Sequence, residues 1–290
     1  MTGRALQVLR PGPLALIEDA GRTGFAAMGV PRSGAADSFA FALGALLVAN
    51  DPTRDAAIET TLGGLAVRAH GTLILALTGA DADARVGDRA IVPGSVFYLR
   101  SGEVLTLGVP RSGLRSYVSV HGGIAVPTVL GSRSRDTLSG LGPAPLQPGD
   151  VLPIGASSGE HPHIDHVPLA AADHPILDVL PGPRLDWIAD PSAVAGPWRI
   201  SARSDRIGVR LEGRPLAWTS SRLGSELPSE PTVRGAVQVP PSGLPVIFGP
   251  DHPVTGGYPV VGVLTAAASD LLAQTRPGEE VRLRWSNRSR

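Results

Sequence analysis

The sequence predicts a mainly β fold made of two successive halves, each a barrel or sandwich of short strands. Three observations carry this. Apolar runs are short and break at glycine or proline about every 8 to 12 residues, the spacing of strands in such folds. Glycine (36) and proline (28) are abundant and aromatics few, yet 42% of the 290 residues are hydrophobic, which suits many tight turns better than disorder. A faint repeat is also present: Val8-Leu-Arg-Pro-Gly-Pro13 returns as Val179-Leu-Pro-Gly-Pro183, and Ser33-Gly-Ala-Ala-Asp37 resembles Ser201-Ala-Arg-Ser-Asp205.

Taken in order, the clearest strands are expected at 72–78, 95–100, 104–107 and 115–120, each bounded by turn residues, and at 176–180, 236–239, 246–248 and 281–285. The run 204–210 alternates in a way that places Arg206, Gly208 and Arg210 on one strand face. Two segments read as helices: 36–50, with Asp37 available as N-cap, and 264–274, stopped by Pro277 and Gly278. The stretch 155–173 lacks periodicity, which gives domains at 1–157 and 175–290 joined by a linker over 158–174.

Charge and composition exclude several functions. The 26 acids balance 26 cations, so no electrostatic footprint for nucleic acid or an anionic membrane is present. Without cysteine there are no disulfides, thiolate metal sites or cysteine nucleophile. Every cation is arginine. A chain without lysine forms no Schiff base, completes no Gly-Lys phosphate loop and carries no biotin on an amine. No window approaches the roughly 18 apolar residues of a membrane span, and the N-terminus lacks a signal-peptide run, so a cytoplasmic protein is expected.

Several motifs compete with blander readings. Gly155-Ala-Ser157-Ser-Gly159 spells a nucleophile elbow, but Pro162 follows where a helix is required. His161, His163, His166 and His174 fall within 14 residues, where a solvated linker is the better reading than a metal site. Glu18-Asp-Ala-Gly-Arg22 and Gly29-Val-Pro-Arg-Ser-Gly-Ala-Ala-Asp37 place acids, arginines and a helix N-terminus close together, able to receive an anion or simply to make a turn and a capped helix. In the second half, Arg206 and Arg210 can clamp a carboxylate bidentately. Ser229-Glu230, Gln238 and Asp251-His-Pro-Val-Thr-Gly-Gly-Tyr-Pro259 add a carboxylate, an imidazole, a hydroxyl and a phenol around bare glycine backbone.

Together with Glu59-Thr-Thr-Leu-Gly63, Thr78-Gly-Ala80, the run from Arg115 to Ile124 with His121-Gly-Gly123, and Val126-Pro-Thr-Val-Leu-Gly-Ser132, these segments resemble, in order and spacing from about Gln7 to Arg284, one family. It is known variously as allophanate hydrolase subunit 2, KipA-like proteins, biotin-dependent carboxyltransferases and the C-type subunit of 5-oxoprolinase. The resemblance implies two tandem cyclophilin-like β-barrel domains with a few short helices. It also implies two partners, a KipI-like B-type subunit homologue and a lactam-utilisation A-type subunit, in an assembly that opens 5-oxo-L-proline to L-glutamate using ATP and Mg²⁺. Within the family the alternatives are a urea carboxylase-type carboxyltransferase, which needs a biotinylated lysine from another chain, and a non-catalytic regulator of a kinase inhibitor.

Asp205, Glu230, Asp251 and Tyr258 are expected to be catalytic, and Arg22, Asp37, Arg206, Arg210, Gln238, Thr255, Gly256 and Gly257 to bind substrate. No resident metal is expected on this chain. The sequence departs from the family pattern twice: Pro231 follows Ser229-Glu230 where glycine is usual, and Val254 stands where a first threonine precedes Thr255.

Overall fold

Alternating apolar residues in short runs must bury one face, and in this chain they do so in two separate cores. The computed structural model describes residues 3–157, 161–168 and 175–286, which form two compact units. The first holds the described residues of 3–22, 33–136 and 140–168; the second holds 23–32, 137–139 and 175–286. Two short stretches of the first half thus fold with the second unit, so the division is not a single cut in the chain.

The first unit runs β1 (Ala5–Pro11), β2 (Leu14–Glu18), α1 (Ser38–Leu47), β3 (Ala57–Thr61), β4 (Leu65–His70), β5 (Leu73–Gly79) and β6 (Ala84–Val86). It continues with β7 (Arg89–Ile91), β8 (Ser95–Leu99), β9 (Val104–Leu107), β10 (Arg115–Val120) and β11 (Val151–Pro153). These make a six-stranded sheet ordered β11-β1-β4-β9-β6-β7 and a five-stranded sheet ordered β2-β3-β10-β5-β8. Leu6, Val8, Ile17, Ile58, Val67, Leu75, Leu105 and Val118 fill the main core. Along β10 the other parity, Tyr117 and Ser119, meets α1, which is why all six of its residues are buried. Asp37 caps α1 by accepting the Ala40 N–H at 2.9 Å.

The second unit runs β12 (Ile176–Pro181), β13 (Trp198–Ile200), β14 (Gly208–Glu212), β15 (Glu230–Pro231), β16 (Ala236–Gln238) and β17 (Val246–Phe248). There follow β18 (Thr255–Gly256), β19 (Val260–Leu264), α2 (Ala266–Ala273) and β20 (Glu280–Trp285). Seven strands close into a barrel, β12-β19-β16-β17-β14-β13-β20, with β15 and β18 as a separate ribbon. Leu177, Val179, Leu211, Val237, Ile247, Val281 and Leu283 fill its core from alternate positions.

The mainly β class and the few short helices stand as the sequence predicts; ring closure is seen in the second unit, while the first resolves into two sheets. Two local expectations change. β14 begins at Gly208, so Arg206 lies ahead of the strand and does not share a face with Arg210. Of the expected linker, 158–160 and 169–174 lie outside the described residues, but Val96 N–H bonds Asp165 O and Val167 N–H bonds Gly94 O, both at 2.8 Å, laying 165–167 along the edge strand β8.

Candidate functional site

The second unit gathers several of the expected residues at one corner of its barrel. The ribbon sets Glu230 opposite Gly256 and Pro231 opposite Thr255. Pro231 is tolerated because a short ribbon edge needs no N–H from it. Gln238, at the end of β16 and 6% exposed, donates from Nε2 to Tyr258 O at 3.0 Å. A Cβ on Gly256 would stand 2.6 Å from that Nε2 and 3.3 Å from Thr232 Cγ2, so glycine is what lets the ribbon approach Gln238. The Thr232 N–H donates to Val254 O at 2.9 Å, and its hydroxyl donates to Pro253 O. His252 Nδ1 contacts the same carbonyl at 2.8 Å, and its ring stacks on Phe248. Tyr258 itself, with Thr255 and Gly257, faces solvent.

The carboxylates expected to act are engaged one by one. Asp251 is fully buried and accepts from Arg206 Nε at 2.9 Å and Nη2 at 3.3 Å, and from Thr137 N and Oγ1 at 3.0 and 2.7 Å. Asp205 accepts from the Ile207 and Gly208 N–H groups at 2.8 and 2.9 Å, closing the turn into β14. Glu230 pairs with Arg184, whose hydrogen bond holds its carboxyl below the usual range. Arg210 is exposed, and the expected Arg206–Arg210 clamp does not form: Arg206 is turned into the protein, onto Asp251. Among the described residues no three His, Asp or Glu side chains converge as a metal site.

The first unit holds a second polar cluster, most of which sequence reasoning passed over. Glu59 on β3 faces Tyr117 on β10 across the ladder, and the phenol donates to Glu59 Oε2 at 2.8 Å. The same oxygen accepts the Ala36 N–H at 2.8 Å, while Tyr117 Oη accepts the Asp37 N–H at 2.7 Å and Arg115 Nε lies 3.5 Å from Glu59 Oε1. Burial, then the charges of Glu59 and Asp37, push the Tyr117 phenol well above its ordinary pKa. A carboxylate and a phenol at opposed, fully buried strand positions were the available signal, since such groups are not needed to build a core.

Beside this network, Asp19 and Arg22 follow β2 in a tight loop. Asp19 accepts from Ser132 Oγ, Ser134 Oγ and the N–H groups of Gly21 and Arg133 at 2.6–2.8 Å. Arg22, 2% exposed, donates from Nη2 to Ser134 O, while its Nε and Nη1 have no hydrogen-bond acceptor. Of the three arginines the sequence nominates, Arg206 is paired with Asp251, Arg210 is exposed, and Arg22 keeps two nitrogens without an acceptor.

Comparison with known proteins agrees with this architecture. A family model described as carboxyltransferase domain, subdomain A and B, matches residues 28–285. The chain is 37% identical over 282 residues to the C subunit of 5-oxoprolinase from Escherichia coli, covering 95% of this chain and 89% of that one. It is 30% identical over 303 residues to urea amidolyase of Saccharomyces cerevisiae, covering 96% of this chain and 16% of that protein. Among solved structures, TTHA0988 superposes with a TM-score of 0.87 at 33% identity over 98% of this chain and 56% of that one, so the chain spans little more than half of that relative.

Proposed function

The chain belongs to the carboxyltransferase family defined by subdomains A and B, and from that premise we propose that it is the C-type subunit of an ATP-dependent 5-oxoprolinase. In this reading it opens 5-oxo-L-proline to L-glutamate with a KipI-like B-type subunit homologue and a lactam-utilisation A-type subunit, and does so only within that assembly. The observation that carries it is the 37% identity to the C subunit of a 5-oxoprolinase over nearly the full length of both chains.

A lactam amide is a poor electrophile, and ATP supplies the activation that makes its carbon attackable. A chain without lysine completes no Gly-Lys phosphate loop, so in this reading the nucleotide's charge is met by arginines, by glycine-rich backbone N–H groups or by a partner. Nucleotide and metal are assigned to the assembly, and this chain to substrate contact and positioning. The groups the fold leaves turned outward for that task are Tyr258, Thr255 and Gly257 at the barrel corner, with Gln238 and Gly256 shaping it. In the first unit Arg22 and Asp37 are kept as separate substrate-binding candidates, Asp37 also capping α1. Asp205, Asp251 and Arg206 serve as the frame of the barrel corner.

Reconstitution tests this. The three co-expressed proteins are expected to form glutamate and ADP from 5-oxoproline, and omission of this chain to abolish both. Full activity without it would refute the proposal. Turnover of urea with a biotin carrier, and none of 5-oxoproline, would favour the carboxyltransferase reading that the urea amidolyase similarity suggests.

A further inference from the structure

Two opposite charges three residues apart in the first unit are not paired with each other. Asp19 is satisfied by four neutral donors: the Ser132 and Ser134 hydroxyls and the N–H groups of Gly21 and Arg133. Arg22, equally buried, receives a single carbonyl, Ser134 O, on Nη2. Its Nε and Nη1 meet no acceptor, so one of the five N–H donors of a guanidinium is used. None of the ion pairs seen among the described residues of this unit includes Arg22.

Stability alone favours another arrangement. A buried cation that pairs with no carboxylate is strongly unfavourable, and joining it to Asp19 would relieve it. The fold prevents that by fixing the carboxylate first. Three of its partners come from 132–134, and Ser134 Oγ in turn accepts the Asp19 N–H at 2.9 Å. The loop is also pinned from its other side. Ala35 N–H bonds Asp19 O at 3.0 Å, and Gly34, at φ +95°, packs so closely that a Cβ there would stand 2.9 Å from Gly21 N. A loop this constrained gives Arg22 little freedom to find an acceptor of its own. The unused donors are held in place, which is how a preorganised anion receptor is built.

We propose that Arg22 is the receptor for a small oxyanion, specifically a carboxylate, bound through the unused N–H groups of its guanidinium. The planar fork matches two carboxylate oxygens, and the incoming charge replaces the missing counter-ion. The proposal rests on the lactam reading only for counting Arg22 among the ligand contacts; the test uses a carboxylate with no ring, so either idea can fail without the other.

The side-chain Nε–H resonance of Arg22, assigned through bonds to its own backbone in isotope-labelled whole protein, is followed while sodium acetate, sodium phosphate or sodium chloride is added at matched ionic strength. Acetate is expected to shift this resonance saturably, with chloride leaving it in place. Acetate is also expected to raise the melting temperature of the wild-type protein and not that of Arg22→Lys. If Arg22→Lys does not fold, the wild-type titration decides alone. A resonance unmoved by acetate, moved equally by chloride, or saturated by phosphate and not by acetate would overturn the assignment.

Discussion

Arg206 and Asp251 neutralise each other inside the second unit, 45 positions apart in sequence and both almost wholly buried. Removing one partner leaves the other charge stranded, so Asp251→Ala is expected to lower unfolding free energy by about 3–5 kcal/mol in urea titrations, and Arg206→Met with Asp251→Leu together to recover much of that. Additive losses in the double variant would contradict the pairing. Tyr117 makes a second test. The unfolded chain releases its phenol proton near pH ~10, whereas the folded chain keeps it to higher pH. The native state then binds more protons, and stability is expected to fall as pH rises past about 10. A phenolate absorbance titration should show one late step, absent in Tyr117→Phe. At this scale the sequence disclosed residue types but not partners. Arg206 read as a ligand clamp because its neighbours alternate; its saturation by Asp251 is a tertiary fact that no local pattern encodes. Glu59 and Tyr117 lay in motifs that marked the family, yet their roles became visible only when the β3–β10 register set them face to face.

The elements were more legible where local chemistry decides them. Strands at 104–107, 115–120 and 246–248 lie where their turn signals predict. The start of α1 follows from Asp37, whose side chain satisfies an N–H three residues on. α2 is shorter than its apolar run because Thr265 caps it, accepting the Ala268 N–H, so the helix starts at Ala266 rather than Leu264. The repeated Ser-x-x-x-Asp string was only half informative: Asp37 caps a helix, whereas Asp205 closes a turn into a strand. How closely α1 lies on its sheet was not readable. A Cβ at Gly44 would stand 2.7 Å from Ser119 Oγ and 2.9 Å from Thr78 Oγ1. Gly44→Ala is therefore expected to destabilise by about 1–3 kcal/mol through overpacking, despite a helix-propensity gain of about 1 kcal/mol. Ser119→Ala should restore part of that loss. A stabilised Gly44→Ala protein, measured by thermal unfolding, would show that the helix is free to shift.

At the scale of the whole molecule, the faint sequence repeat falls on two strands ending in proline, β1 at Pro11 and β12 at Pro181, but the passage of 23–32 and 137–139 into the second unit was not readable. Such a crossing leaves no compositional mark, since neither 23–32 nor 137–139 carries a pattern that sets it apart from the other connections. No helix among the described residues is long and apolar enough to cross a membrane. On the proposed reading, the chain is expected to co-elute with a KipI-like B-type homologue after co-expression, and separate elution at micromolar concentration would argue against that. The claim that joins these scales is that the arginine left unsatisfied, Arg22, meets the ligand, while the saturated one, Arg206, holds the fold. Steady-state kinetics on the reconstituted assembly with Arg22→Lys and Arg206→Lys, each beside a melting curve, test it most directly. Arg22→Lys is expected to raise KM for 5-oxoproline about tenfold or more with little change in melting, because a point charge replaces a planar fork, and Arg206→Lys to lower the melting temperature with KM near wild type. The reverse pattern, with KM following Arg206 and stability following Arg22, would contradict the account.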